Sequence, residues 1–202
     1  MVTHNPKEMK TLVFATNNKH KLEEVQALIG NRFRLQTLEE IGCTDDIPET
    51  GTTFHENASQ KSHFLLEHFH VDCFSDDSGL EVDALNGEPG VYSARYSGSR
   101  DPQTNLGLVL EKMKGKSNRS ARFRCVISLL QDGEEHFFEG VVEGQITEEA
   151  SGTAGFGYDP IFIPAGYQQT FSEMPAEEKN RISHRGQAVS KLVDFLIKDD
   201  QA

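Results

Sequence analysis

Two carboxylates arrive side by side at Asp76-Asp77 and are followed at once by Ser78-Gly79, immediately after the apolar run Val71 to Phe74. Adjacent like charges repel and are costly to desolvate, so a divalent cation, a basic ligand or bulk water has to compensate them. The pattern predicts a strand that ends by presenting acids, and a solvated acidic turn is the plain alternative. A second polar group, Thr16-Asn17-Asn18, stands where a β-rich run gives way to helical spacing, with Lys19, His20 and Lys21 beside it. Hydroxyl, amide and free backbone N–H groups at a helix start suit phosphate oxygens. A simple polar turn capped by Asn is the alternative there.

Phe156-Gly157-Tyr158-Asp159-Pro160 follows the glycine-rich approach Gly152 to Gly155. An aromatic ring next to an exposed carboxylate suits a base that is stacked and hydrogen-bonded at once. Lys179, His184 and Arg185 then form another compact basic group near a helix start, with Ser183 as its expected cap. Gly115-Lys116-Ser117 imitates the end of a P-loop, but that loop needs glycine where this chain has Leu110. His63, His68 and His70 are spaced by five and two, not by the i, i+4 step that puts a metal-binding pair on one helix face, and read as surface histidines.

The elements that must carry these groups interleave. Thr11 to Thr16 predicts a strand, and Leu22, Val25, Leu28 and Ile29 a helix after it. Thr53 with Glu56 forms a capping-box pattern opening a helix to about His68. Asp101-Pro102 predicts a helix start, with the helix running toward Gly115. Ala121 to Leu130 and Glu135 to Glu143 flank the turn signal Asp132-Gly133. Pro175 opens a short helical turn, and Ala188 to Leu196 forms a final amphipathic helix. The reading is an α/β class with a mixed sheet.

At 202 residues the chain fits one domain, read as residues 10–198 between a polar tail over 1–9 and a short tail over 199–202. The apolar stretches are too short to span a bilayer, and the polar start lacks a signal-peptide pattern, so the expected location is cytoplasmic. Cys43, Cys73 and Cys125 are odd in number and scattered, as reduced, buried thiols would be. A net charge of −12 argues against a nucleic-acid polymer or an anionic membrane as partner. An anionic small ligand would need a local basic cluster or a divalent cation.

Taken in order, Asn18–Lys21, Pro48-Glu49-Thr50-Gly51, Glu56-Asn57-Ala58 with Lys61, Asp76 to Leu80, Pro89 to Tyr96, Phe156 to Pro160 and Ile182 to Gly186 closely resemble the inosine triphosphate pyrophosphatase family over about residues 10 to 198. The resemblance implies an elongated, two-lobed α/β fold with a long central mixed sheet flanked by helices, a cleft between the lobes, and a homodimer. It implies Mg²⁺-dependent hydrolysis of noncanonical purine nucleoside triphosphates (dITP, ITP, XTP) to monophosphate and pyrophosphate, removing deaminated purines from the nucleotide pool. By matched motif, Thr16, Asn17, Asn18, Lys19, His20 and Lys21 would hold the triphosphate, with Lys61 and Arg95 assisting. Glu49 and Asp77 would be the Mg²⁺ carboxylates, Asp77 also the proton acceptor, and Ser78 a substrate contact. Phe156 would stack on the purine, with Gly157, Tyr158, Asp159, Lys179, His184 and Arg185 completing the nucleoside pocket. Asn17 departs from the Gly or Ser that the family more often carries. A metal ligand makes a poor base, so Asp76 remains a second candidate for proton acceptor. Two other functions remain open: a pyrophosphatase for other modified or pyrimidine nucleotides, and a nucleotide-binding regulator that does not hydrolyse.

Overall fold

The computed structural model describes residues 11–199. The expected tail over 1–9 and residues 200–202 lie outside them, and Asp199 closes the last helix rather than opening a tail.

Among the described residues six strands form one mixed sheet in the order β2-β1-β3-β4-β5-β6. These are β1 (Thr11–Phe14), β2 (Arg34–Gln36), β3 (Cys73–Val82), β4 (Ser120–Gln131), β5 (Glu134–Ile146) and β6 (Phe162–Pro164). β1 runs parallel to β2 and β3, whereas β3, β4, β5 and β6 pair antiparallel in sequence. The helices are α1 (Lys19–Ile29), α2 (Phe54–Phe69), α3 (Pro102–Lys112), α4 (Ala176–Ile182) and α5 (His184–Asp199). The mixed α/β architecture expected from the interleaved periodicities is present.

Local chemistry explains the element boundaries. Asn18 Oδ1 accepts the N–H groups of His20 and Lys21 and so opens α1. The Thr53/Glu56 capping box is formed at α2, and Asp101 caps α3 ahead of Pro102. Ser183 Oγ accepts the Gly186 N–H at the start of α5, the capping role read from the sequence. Asp132 and Gly133 both take positive φ, the combination a tight hairpin needs, and join β4 to β5.

The long pair β3 and β4 spans two separate cores. At one end Phe14, Phe74, Ile127 and Leu129 pack with Val25 and Ile29 of α1 and Leu192 and Leu196 of α5. At the other end Leu80, Val82, Phe123 and Phe162 pack with Leu106 and Val109 of α3. Residues 75–79 lie between these cores, so the strand crosses the middle of the molecule on polar side chains. This corrects the expectation that Asp76-Asp77 ends a strand. β3 continues to Val82 because β4 pairs with it along the whole length, from Leu130 opposite Cys73 to Ala121 opposite Val82. β1 is conversely shorter than expected and stops at Phe14. Cys43, Cys73 and Cys125 are buried and free, as expected.

Candidate active site

Side chains alternate across a strand, so Asp76 and Asp77 point to opposite faces and meet different neighbours. Asp76 shares a face with Phe74, the side covered by α1 and α5, and is 1% exposed. Lys21 Nζ lies 3.0 Å from its Oδ1, and Arg185 Nη2 lies 3.4 Å from its Oδ2. Asp77 meets α2 instead, where Asn57 Nδ2 donates to its Oδ2 at 2.9 Å, while Oδ1 accepts the Ser78 N–H at 2.9 Å. The acidic-turn reading is therefore overturned: both carboxyls are buried within a central strand.

Electrostatics separates the pair further. Burial alone would raise the Asp76 pKa, but Lys21, Arg185 and Lys61 together override it and hold the carboxyl well below the usual range. For Asp77 burial prevails over Lys61 and Lys21, and its pKa lies above the ordinary carboxylate value. Asp76 is thus a committed anion that fixes cations, while Asp77 lines the open cleft and remains under-compensated.

That cleft encloses about 700 Å³. Thr16, Asn17, Asn18, His20 and Lys21 line it from the start of α1; Glu49, Lys61, Asp77, Ser78 and Arg95 line it from the sheet and α2 side. Phe156, Gly157, Tyr158, Asp159, Lys179, His184 and Arg185 line it as well. Seventeen of the sequence-derived positions therefore converge on one cavity; Lys19 is exposed and does not line it.

Lys61 is buried and donates to both Glu49 Oε1 and, at 2.6 Å, the Asp76 carbonyl. Burial works against its charge, yet Glu49, Asp76 and Asp77 outweigh burial and raise its pKa. Arg95 Nη1 stands 3.8 Å from Glu49 Oε2, so Glu49 is flanked by two cations. Gly79 lets the 90–95 turn come close, since a Cβ there would collide with the Gly90 carbonyl and Ser93 Oγ.

The base-binding candidates form a second charged cluster. Lys179 Nζ contacts Asp159 Oδ2 at 2.7 Å and Glu24 Oε1 at 2.7 Å, and Arg185 Nη1 pairs with Glu24 Oε2. Asp159 is buried, not exposed as its turn sequence suggested, because Gly155 at positive φ leaves room for its carboxylate and Phe156 N–H donates to it at 2.8 Å. Tyr158 gives its hydroxyl to the Ser93 carbonyl at 2.7 Å, which ties this loop to the 90–95 turn. His184 stacks on Phe123 with centroids 4.8 Å apart, and its buried Nδ1 has no hydrogen-bond partner among the described residues. Burial, with Arg185 and Lys179 nearby, keeps its pKa well below the ordinary histidine value, so the ring is neutral. Lys179 and Arg185 also stand 5.1 Å and 5.7 Å from the Phe156 ring centre.

Glu24 and Asn57 escaped the sequence reading as site residues. Glu24 reads as one more solvated acid on α1, and its only signal is the four-residue step from His20, which places both on one helix face. Burial opposes its charge, but Arg185 and Lys179 prevail and lower its pKa.

Among the described residues no group of three or more His, Cys, Asp or Glu side chains could hold a metal ion. Glu49 and Asp77 nevertheless offer hard oxygen donors in one cleft, and Asp77 lacks full charge compensation. That donor set fits an ion such as Mg²⁺, which takes one or two carboxylates and completes its shell with water and substrate phosphates.

The sequence model of the Ham1 family matches residues 12–195. The chain is 48% identical over 186 residues to a dITP/XTP pyrophosphatase of Flavobacterium johnsoniae, covering 92% of this chain and 97% of that one. It is 46% identical over 193 residues to a dITP/XTP pyrophosphatase of Bacillus subtilis, covering 93% and 98% respectively. Among solved structures, the Staphylococcus aureus Ham1 protein superposes with a TM-score of 0.86 at 39% identity, covering 94% of this chain and all of that one. A nucleoside-triphosphatase / dITP/XTP pyrophosphatase from Mycobacterium abscessus gives a TM-score of 0.75 at 39% identity, covering 90% and 98%.

Proposed function

The chain belongs to the Ham1 family, and from that premise we propose that it hydrolyses noncanonical purine nucleoside triphosphates, dITP, ITP and XTP, to the monophosphate and pyrophosphate. The observation that carries this is one cleft in which paired acids and buried ammonium groups adjoin an aromatic ring flanked by cations. A triphosphate and a chain of net charge −12 repel unless such groups are concentrated locally.

Glu49 and Asp77 would hold Mg²⁺, which when bound neutralises phosphoryl charge and the departing pyrophosphate. Thr16 to Asn18 and Lys21 would cradle the phosphates through their side chains, since Asn18 Oδ1 already holds the His20 and Lys21 N–H groups at the start of α1. Lys19 would act from outside the cleft wall, Lys61 would fix the Glu49 carboxylate, and Arg95 would support it. Water attacking the α-phosphorus would give its proton to Asp77; Asp76, with both oxygens against cations and 1% exposure, is poorly placed for that. Its role would be to join Lys21 to Arg185, and so the phosphate cradle to the base pocket.

Phe156 would stack on the purine. A 6-oxo group accepts hydrogen bonds where adenine carries an amino donor, so a donor from His184 or Arg185, whose buried Nδ1 and Nε have no partner among the described residues, would find one in hypoxanthine or xanthine and be left unpaired by adenine. His184, Tyr158, Gly157 and Asp159 would shape the pocket, and Ser78 would contact substrate beside Arg185. The catalytic unit would be the single domain over residues 10–198, acting in the cytoplasm as a homodimer. None of the helices described is long and apolar enough to cross a membrane.

Product analysis tests the reaction. Chromatography of a dITP digest should yield dIMP and pyrophosphate; dIDP with orthophosphate would overturn the assignment of the α-phosphorus as the point of attack.

A further inference from the structure

His20 begins as one residue of a phosphate cradle, but its side chain faces elsewhere. Its ring lies parallel to Phe156, with centroids 5.1 Å apart and planes 10° from each other. We propose that His20 is the second aromatic plate of the base slot, closing over a 6-oxopurine opposite Phe156. This deepens the function proposed above and rests on it.

The local geometry separates a fixed backbone from an exposed ring. The His20 N–H is held by Asn18 Oδ1 at 3.0 Å, so the first turn of α1 stays anchored. The side chain is 61% exposed, and among the described residues its ionic neighbour is Glu23, 3.9 Å away and exposed too. Much of the ring's surface therefore faces solvent, on the side away from Phe156. Four residues on, along the same helix face, Glu24 grips Lys179 and Arg185. The face of α1 that carries His20 is thus the face against the base pocket, and the ring that could have pointed at the lysines of the phosphate side points at Phe156 instead.

The two rings stack directly on each other in this structure. A planar base between two rings needs about 3.5 Å on each side, so about 7 Å between the plates, which exceeds the present spacing. His20 swings outward to admit the base and settles on its other face, exchanging one stacking contact for two. Stacking tolerates any flat ring, so this plate adds affinity without discrimination; discrimination stays with the His184 and Arg185 donors.

Steady-state kinetics with dITP on His20→Ala, His20→Phe and His20→Gln, with Phe156→Ala alongside, test the proposal. His20→Ala should raise KM about three- to tenfold, the scale of one aromatic pair, with kcat within about twofold of the parent. His20→Phe should restore KM and His20→Gln should not. Inorganic triphosphate, which has no base, should inhibit the parent and His20→Ala equally. An unchanged or lower KM in His20→Ala, equal rescue by Gln, or weakened inhibition by inorganic triphosphate would overturn it. If Phe156→Ala alone raises KM, the base slot stands and the role of His20 falls. If neither variant does, the slot itself is wrongly placed.

Discussion

Asn57 Nδ2 donates to Asp77 Oδ2 at 2.9 Å from within α2, and both groups are buried. One carboxyl oxygen is thereby oriented by a rigid helix while the residue still reaches the cleft. Asp77→Asn keeps the shape but removes the charge and the proton-accepting capacity. It should lower kcat at least about a thousandfold, while the melting temperature stays within a few degrees. Pyrophosphate release and thermal unfolding measured together check this, and a rate near the parent's would exclude Asp77 as the base.

Glu49 sits between Lys61 and Arg95 and is 31% exposed, reachable by a solvated ion. Replacing it by Gln keeps one oxygen donor and loses the charge. The Mg²⁺ concentration for half-maximal rate should rise by about tenfold or more. A Mg²⁺ titration of Glu49→Gln that overlays the parent would remove Glu49 from the metal site.

The Glu24 carboxylate meets Lys179 and Arg185 together. In Glu24→Gln both cations keep their other partners, Asp159 and Asp76, so the fold survives while the donors beside Phe156 lose their alignment. A charge-assisted pair of this kind is worth about 1.5–3 kcal/mol, so kcat/KM for dITP should fall about ten- to hundredfold, mostly in KM. Unaltered kinetics would make Glu24 a purely structural acid.

His184 gives a pH dependence with a definite sign. Its folded pKa is depressed well below 6.5 by burial and by the nearby Arg185 and Lys179, so below pH 6.5 the unfolded chain binds a proton that the folded protein refuses. Its contribution to stability is complete above that value and is lost as pH falls, by up to about 1.4 kcal/mol per pH unit until the folded ring protonates. Glu24, whose pKa is lowered from 4.5, contributes only in a lower window. Urea denaturation from pH 7.5 to 5 should therefore show a steeper loss in the parent than in His184→Gln; parallel profiles would mean that the imidazole is not held neutral.

Much of the candidate site is legible in the sequence. The capping box at Thr53, the Asp101-Pro102 helix start and the Asp132-Gly133 hairpin rest on local chemistry, and each formed where the sequence pointed. The convergence of the 16–21, 76–78, 156–159 and 179–185 segments on one cleft came from the joint motif pattern, since no single segment carried it. What stayed hidden depends on tertiary pairing. Asp-Asp-Ser-Gly has turn chemistry, and only the long ladder with β4 makes it mid-strand. Asp159 looked exposed because burial of a carboxylate depends on a lysine 20 residues away, and Glu24 has no signal apart from helix spacing.

Initial rates of pyrophosphate release from dITP, ITP, XTP, GTP and ATP, each with Mg²⁺ and with EDTA, test the central claim most directly. The account predicts metal-dependent release from the first three, with kcat/KM for dITP or ITP at least about a thousandfold above ATP. Comparable rates with ATP, or rates that survive EDTA, would contradict it.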